Sequence, residues 1–302
     1  MNADYAGLLN ALQPEAHLVL GALLVLGFDL VWARHRPANR HHVALALGLL
    51  ALALAGGKAV TTGGTGAVFG GVLLLDALTV ATRVGVIALA GLALCLLPPP
   101  SRLRHPAEFV AIVLFATTGF TLMAAANQLL IVFLAVELAS LSLYVLAGFD
   151  KTRPESAEAA LKYFLFGGMA AAFLLFGFSL LYGLTGSLDL GTIASQLELQ
   201  RLSPLLLVAL GMVLVAFGFK AAAAPFHLWA PDVYQGAPAP AAALIASASK
   251  LAGLVVFTRL LWPGLGAAVG TIAHTPVTLG WATVMALIAG ASLLLGNLGA
   301  LA

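Results

Sequence analysis

The sequence predicts an all-α, polytopic transmembrane helical bundle, and three observations carry that reading. First, 62% of the 302 residues are hydrophobic and only 9% are charged, against about 25% charged in a water-soluble domain. Second, the apolar residues fall into long unbroken runs of about 20, the length that spans a bilayer as helix. Barrel strands would instead be about 10 residues of alternating polarity. Third, 32 glycines and an abundance of alanine suit close-packed membrane helices. The composition excludes a soluble globule, a disordered chain, a collagen and a nucleic-acid binder. A single cysteine, Cys95, excludes an internal disulfide and a thiolate metal cluster. A net charge of +2 says nothing about partners.

About nine spans are expected, roughly Ala16–Trp32, His42–Val60, Leu75–Leu97, Phe109–Ala126, Leu129–Phe149, Ala157–Tyr182, Pro204–Ala224, Pro238–Trp262 and Val277–Leu301. The N-terminal residues carry Asp4 and Glu15 without a basic segment, so they do not read as a cleaved signal. Arg34, Arg36, Arg40, Arg102, Arg104, Lys151 and Arg153 lie in the first, third and fifth loops. Only Lys58 and Arg201 lie in the second, fourth, sixth and eighth. The positive-inside rule then places the odd loops in the cytoplasm and the N-terminus outside. The seventh loop, PFHLWAPDVYQGAPAP, is apolar and proline-rich, and is expected to be partly buried in protein. The last run ends at the C-terminus, and the chain is expected to be a fragment of a longer one.

Ionisable residues inside spans are costly and each needs a partner, a wet cavity or a task. Glu137 sits near the middle of span five, with Ser140 and Tyr144 on the same helical face. Its alternative is a structural hydrogen bond. Lys162, one turn into span six, has Glu158 at i−4 and is read equally well as a snorkelling, paired lysine. Lys220 lies near the end of span seven, five residues before Pro225, which should break the helix and free the carbonyl of Ala221. Lys220, Pro225 and His227 thus cluster within about two turns, although a lysine snorkelling beyond a terminated span would look the same. Lys250 stands about 18 Å into span eight, between Ser247 and Gly253, where it cannot easily snorkel.

Other charges read as peripheral. Asp29 and Asp76 are expected at interfaces, Arg83 to pair with Asp76 at i+7, and Arg259 to reach the far interface. His17, His35, His41, His42, His105 and His274 are read as solvated and lack metal-ligand spacing, so no metal site is expected. There is no CxxC, P-loop or GxGxxG after a strand, and no cofactor-binding pattern in this chain.

The expected arrangement is a row of acid and base groups across the membrane middle. Burial disfavours a charged lysine and a nearby anion favours it. At an assumed separation of about 7 Å and an effective dielectric of about 20, the Glu137–Lys220 attraction is about 2.4 kcal/mol. Moving the pair could therefore switch the lysine between charged and neutral. Lys250 would be the next station, with His227 and water between. A scaffold whose charges only fix packing is the competing, non-transport reading.

The stretch PFHLWAPDVYQGAPAP with its preceding lysine resembles the signature of the antiporter-like membrane subunits of respiratory complex I (NADH:quinone oxidoreductase). The run Tyr234-Gln235-Gly236-Ala237-Pro238, together with VELASLSLYVLAGF and ESAEAALKYFLFGGMAAAFLLFGFSLLYGLTGSLDL, resembles its subunit N branch. The resemblance covers nearly the whole chain. It implies an antiporter-like fold with a broken helix in span seven. Glu137, Lys220 and Lys250 would be the proton-transfer residues, with Lys162, His227 and Pro225 supporting. It implies residues 1–105 as an N-terminal three-span region, 106–265 as the first five-helix repeat, and 266–302 as the start of a second, inverted one. Implied partners are the other membrane subunits and the lipid of a bacterial inner membrane. NADH, FMN, iron–sulfur clusters and quinone would be bound elsewhere in the complex. A multisubunit sodium/proton antiporter or a membrane-bound hydrogenase is the related alternative.

Overall fold

The computed structural model describes residues 5–32, 37–62, 64, 66–99, 103–198, 203–270 and 280–301. Arg34, His35, Arg36, Arg102, Arg201, His274 and the expected start of span nine lie outside them. Among the described residues, nine helical segments are long and apolar enough to cross a membrane.

A short helix, α1 (Tyr5–Ala11), leads into span one, α2 (Gln13–Val31), and span two, α3 (Pro37–Thr61). A small antiparallel hairpin follows, β1 (Gly66–Val68) on β2 (Leu73–Leu75), which the sequence reading did not anticipate. Span three is α4 (Ala77–Cys95), span four α5 (Pro106–Ala125), span five α6 (Leu129–Ala147) and span six α7 (Pro154–Thr185). A re-entrant-length helix α8 (Leu190–Glu198) precedes span seven, α9 (Pro204–Ala221), and a one-turn-plus segment α10 (Ala230–Gly236) follows it. Span eight is two pieces, α11 (Ala239–Ala246) and α12 (Ala248–Arg259), and α13 (Trp281–Leu301) is span nine.

Starts and stops follow local chemistry. Proline occupies the first turn of α2, α5, α7 and α9, where its missing N–H costs nothing. Asp76 caps α4 by accepting from Thr79 N at 2.7 Å, and Ser203 caps α9 by accepting from Leu206 N at 3.2 Å. Gly186 ends α7 in the left-handed conformation, φ 67°. With 32 residues, α7 is about 48 Å long. That exceeds a hydrocarbon core of about 30 Å, so α7 tilts or projects.

Buried nearly along its length, α5 is the hub, enclosed by α2, α3, α4, α6 and α12. It packs most intimately on α6. A Cβ added at Gly119 would lie 2.6 Å from the backbone N of Ala139, so only glycine permits that approach.

The structure re-partners several charges. Arg83 does not pair with Asp76, although the two share a face of α4. Its Nη2 lies 2.8 Å from Oε1 of Glu15 in α2, both side chains being buried. Glu15 is therefore inside the bundle and not a surface residue. The contact is coulombic: Glu15 Oε1 and Oε2 and Arg83 Nε and Nη2 lack well-angled hydrogen bonds among the described residues. Arg259 is itself 5% exposed and donates to Asp76 at the start of α4. Asp29 is buried in a two-bond pair with Arg40 (2.5 Å for each bond). His41 is buried, edge-on to His42, and is not solvated.

Asp76, outside the span proper, feels burial pushing its carboxyl up, but hydrogen bonds from Arg259 and Thr79 outweigh this and hold it below the usual carboxylate range. It therefore stays ionised at neutral pH. Its contribution to stability is present above the ordinary aspartate range and is lost as pH falls through the lowered value.

Removing one partner of a buried ion pair strands the other, whereas removing both restores a neutral interior. Arg83→Met is expected to destabilise the detergent-solubilised protein by about 3–5 kcal/mol. Adding Glu15→Gln should recover most of that loss in thermal unfolding. A double variant no more stable than Arg83→Met would contradict the pairing.

Candidate proton-transfer site

The end of α9 organises the site. A helix leaves its last four carbonyls without intrahelical donors, and at membrane depth these must be satisfied internally. Ala222 takes a left-handed conformation, φ 57°, and turns the chain away. The N–H groups of Ala222 and Ala223 return to Gly218 and Phe219 (Ala223 N to Gly218 O, 2.9 Å; Ala222 N to Phe219 O, 3.0 Å). Trp229 Nε1 also donates to Phe219 O at 3.2 Å. Lys250 Nζ donates to the carbonyl of Lys220 at 2.7 Å. The expectation named Ala221 as the residue whose carbonyl is released. Pro225 offers that carbonyl no N–H and Ala221 is exposed, while the Lys250 amine goes to the carbonyl one position earlier, at Lys220. From span nine, Ser292 Oγ accepts the N–H of Ala224 at 2.9 Å.

Pro225 therefore sits just past the helix end, in a seventh loop that is partly buried through Trp229, Ala230 and Val233. Trp229 stacks on Tyr163 with centroids 4.6 Å apart and 8° between planes, and its ring lies 4.8 Å from Lys250 Nζ. The ammonium is thus held by a carbonyl on one side and a π face on another.

Lys220 is 6% exposed, and its Nζ donates to Ser140 Oγ at 3.1 Å. Ser140 in turn donates to Val136 O at 2.7 Å. Glu137, Ser140, Tyr144 and Lys220 line one cavity between α6, α7 and α9. It leaves about 20 Å³ for the centres of water molecules, enough for a water or so. Gly167 permits Tyr144 to reach this cavity: a Cβ there would fall 1.9 Å from the tyrosine hydroxyl. Phe219 and Ala170 also wall a second, apolar cavity lined by Phe166, Phe173, Pro225 and Phe226.

Lys162 lies away from the cavity. It bridges α7 to α10 on the outside of the bundle, 2.7 Å from Glu158 and 2.5 Å from Asp232, with its side chain 37% exposed. This is the paired alternative of the sequence reading. Among the described residues the His227 ring makes no hydrogen bond, and its Nδ1 is buried. Sequence reasoning missed Trp229, whose only signal was its place in the apolar loop, and Ser292, which carries none.

Comparison with known proteins places the chain. The family model for the transmembrane part of "NADH:quinone oxidoreductase/Mrp antiporter" subunits matches residues 126–302. A relative in Acidobacterium capsulatum named NADH-quinone oxidoreductase subunit N 2 is 45% identical over 99% of this chain and 62% of its own length. Respiratory complex I from Thermus thermophilus contains a chain matching at TM-score 0.75 and 34% identity, over 96% of this chain and 58% of that one. A chain of the Mrp complex from Dietzia sp. matches in fold at TM-score 0.66 and 20% identity, over 85% and 49%. The sequence described here thus spans about three-fifths of the length of its curated relatives.

A non-glycine residue in the left-handed region costs of order 1 kcal/mol. Ala222→Gly should raise thermal stability by about 1 kcal/mol while keeping the break. Ala222→Val should lower it by more than that, since a β-branched side chain is a poorer fit there. Equal stabilities for the three would show that this cap is not formed as described.

Proposed function

Because the chain belongs to the NADH:quinone oxidoreductase/Mrp antiporter family of membrane subunits, we propose that it is a proton-translocating membrane subunit of an NADH:quinone oxidoreductase. The observation that carries the reading is the buried amine of Lys220 sharing a water-sized cavity with Glu137 where a helix ends inside the bundle. Stability alone gives little reason to keep an ionisable pair at that depth, since apolar residues would cost less.

Glu137, Lys220 and Lys250 carry the proton in this reading. The proton affinity of Lys220 follows its separation from Glu137, because the attraction falls with distance in a medium of low effective dielectric. Ser140 orients the amine, and Tyr144 bounds the cavity. Lys250 is joined to Lys220 through the backbone carbonyl, so a proton moving between the two amines needs a rearrangement at the helix end or a bridging water. Pro225 keeps that end from continuing as helix. Lys162 supports by fastening α10 to α7. NADH, FMN, iron–sulfur clusters and quinone are bound by other subunits, which supply the driving free energy. The 106–265 segment forms the first repeat of the antiporter-like unit, and 266–302 opens the second. The N-terminus faces the outside of a bacterial inner membrane, as the arginine-rich odd loops favour.

The joint description of the family and the likeness of fold to an Mrp chain also favour a second reading, a sodium/proton antiporter subunit. One experiment separates the two. Vesicles bearing the assembled complex are assayed for NADH-driven proton uptake and, without NADH, for sodium-dependent proton flux. Lys220→Ala, Glu137→Ala and Lys250→Met should each lower NADH-driven uptake by about tenfold or more, equivalent to at least about 1.4 kcal/mol of barrier. Wild-type uptake in all three would end the proposal. Sodium-dependent flux without NADH would transfer it to the antiporter reading.

A further inference from the structure

The cluster of buried Arg259 and Thr79 with the half-exposed Asp76 has no part in the route above. We infer that Arg259 and Asp76 are positioning residues: they hold α12 at the rotation and height that present Lys250 to the end of α9. This rests on the reading of Lys250 as a proton carrier.

Helix continuity does not by itself set the pose of α12. At Ser247 the backbone leaves regular helix, φ −114° and ψ −79°, which separates α12 from α11. After Arg259 the chain widens into a π turn over Leu260–Gly264 that contains Pro263. Between these two irregularities lies a 12-residue cylinder, joined to α11 through Ser247 (Ser247 N to Ala243 O, 3.1 Å; Leu251 N to Ser247 O, 3.0 Å), and side chains supply the rest of its fixing. Lys250 and Arg259 are nine positions apart, which is about 180° around a helix and about 13.5 Å along it. One therefore reaches the α9 terminus while the other reaches the opposite neighbour, α4.

The α4 anchor is stiff. Arg259 Nη2 donates to Asp76 Oδ1 at 2.5 Å and to Thr79 Oγ1 at 2.8 Å. The same carboxylate oxygen accepts from Thr79 N at 2.7 Å, and the Thr79 hydroxyl donates to Leu74 O at 2.7 Å. The guanidinium thus grips a helix cap that is itself tied to β2. Its Nε is buried without a hydrogen-bond partner among the described residues, so the grip comes through one edge. A charged pair of this length is strong and directional. A turn or slide of α12 that carried Lys250 away from the Lys220 carbonyl would first have to break it.

The test reads position and pumping separately, in the assembled complex and in a Cys95→Ser background. Gly85 of α4 and Leu251 of α12 are neighbours: a Cβ on Gly85 would lie 3.0 Å from Leu251 Cδ2. Gly85→Cys with Leu251→Cys reports the pose of α12 by its rate of oxidative cross-linking. Arg259→Gln and Asp76→Asn should each slow that rate by about tenfold, and should lower protons translocated per NADH in fully assembled complex to the Lys250→Met level. Arg259→Lys, which keeps the charge, should restore both. Unchanged cross-linking in Arg259→Gln and Asp76→Asn overturns the inference. So does slowed cross-linking with a wild-type proton ratio while Lys250→Met remains defective. If Lys250→Met pumps normally, the proton-carrier reading falls. The clamp is then judged by the cross-linking rate alone.

Discussion

A backbone group released in an apolar medium has no water to turn to, and the centre of this molecule is arranged around that fact. Ending α9 inside the bundle exposes carbonyls that the lipid cannot serve. The donors come from three different places, the turning chain itself, the Trp229 indole and the Lys250 amine, while a serine of span nine accepts the N–H of Ala224. The helix end, the stacked aromatics and span eight are held together by that demand. It also explains why the loop after the break is folded against protein.

The ionisable groups divide into two kinds. Glu15 with Arg83, Asp29 with Arg40 and Asp76 with Arg259 are tightly matched opposites, each joining two spans. Glu137 and Lys220 share a cavity but are not in ion-pair contact, and Lys220 bonds a serine hydroxyl. The first kind ties helices together. The second leaves both groups able to change partners, which proton movement requires.

Hydropathy made the spans legible because the bilayer demands continuous apolar runs, and Pro225 made the break legible because proline cannot continue the hydrogen-bond ladder. The face shared by Glu137, Ser140 and Tyr144 followed from helical period alone. Partners across the fold did not follow. Asp76 and Arg83 are seven apart on α4 and look like a pair, yet each answers to a different helix. Span eight reads as unbroken because Ser247 is neither proline nor glycine; in the structure its hydroxyl donates to Ala243 O at 2.6 Å, a back-bond that bends helices. The hairpin at Gly66–Leu75 is too short to show a period. His227 was grouped with the site by its place two residues after Pro225 and Lys162 by the resemblance, and neither signal says where a side chain ends up.

The three cross-span pairs have a wider effect through their summed charge. Each contributes one positive and one negative group a few ångströms apart, so beyond that spacing each looks electrically neutral and only a dipole remains. The lysines of spans seven and eight thus sit in a protein whose other buried charges are largely self-cancelled. What is left to vary the potential at Lys220 is its unmatched neighbours, Glu137 across the cavity and the Lys250 amine at the helix end, without a background of fixed ions to compete against.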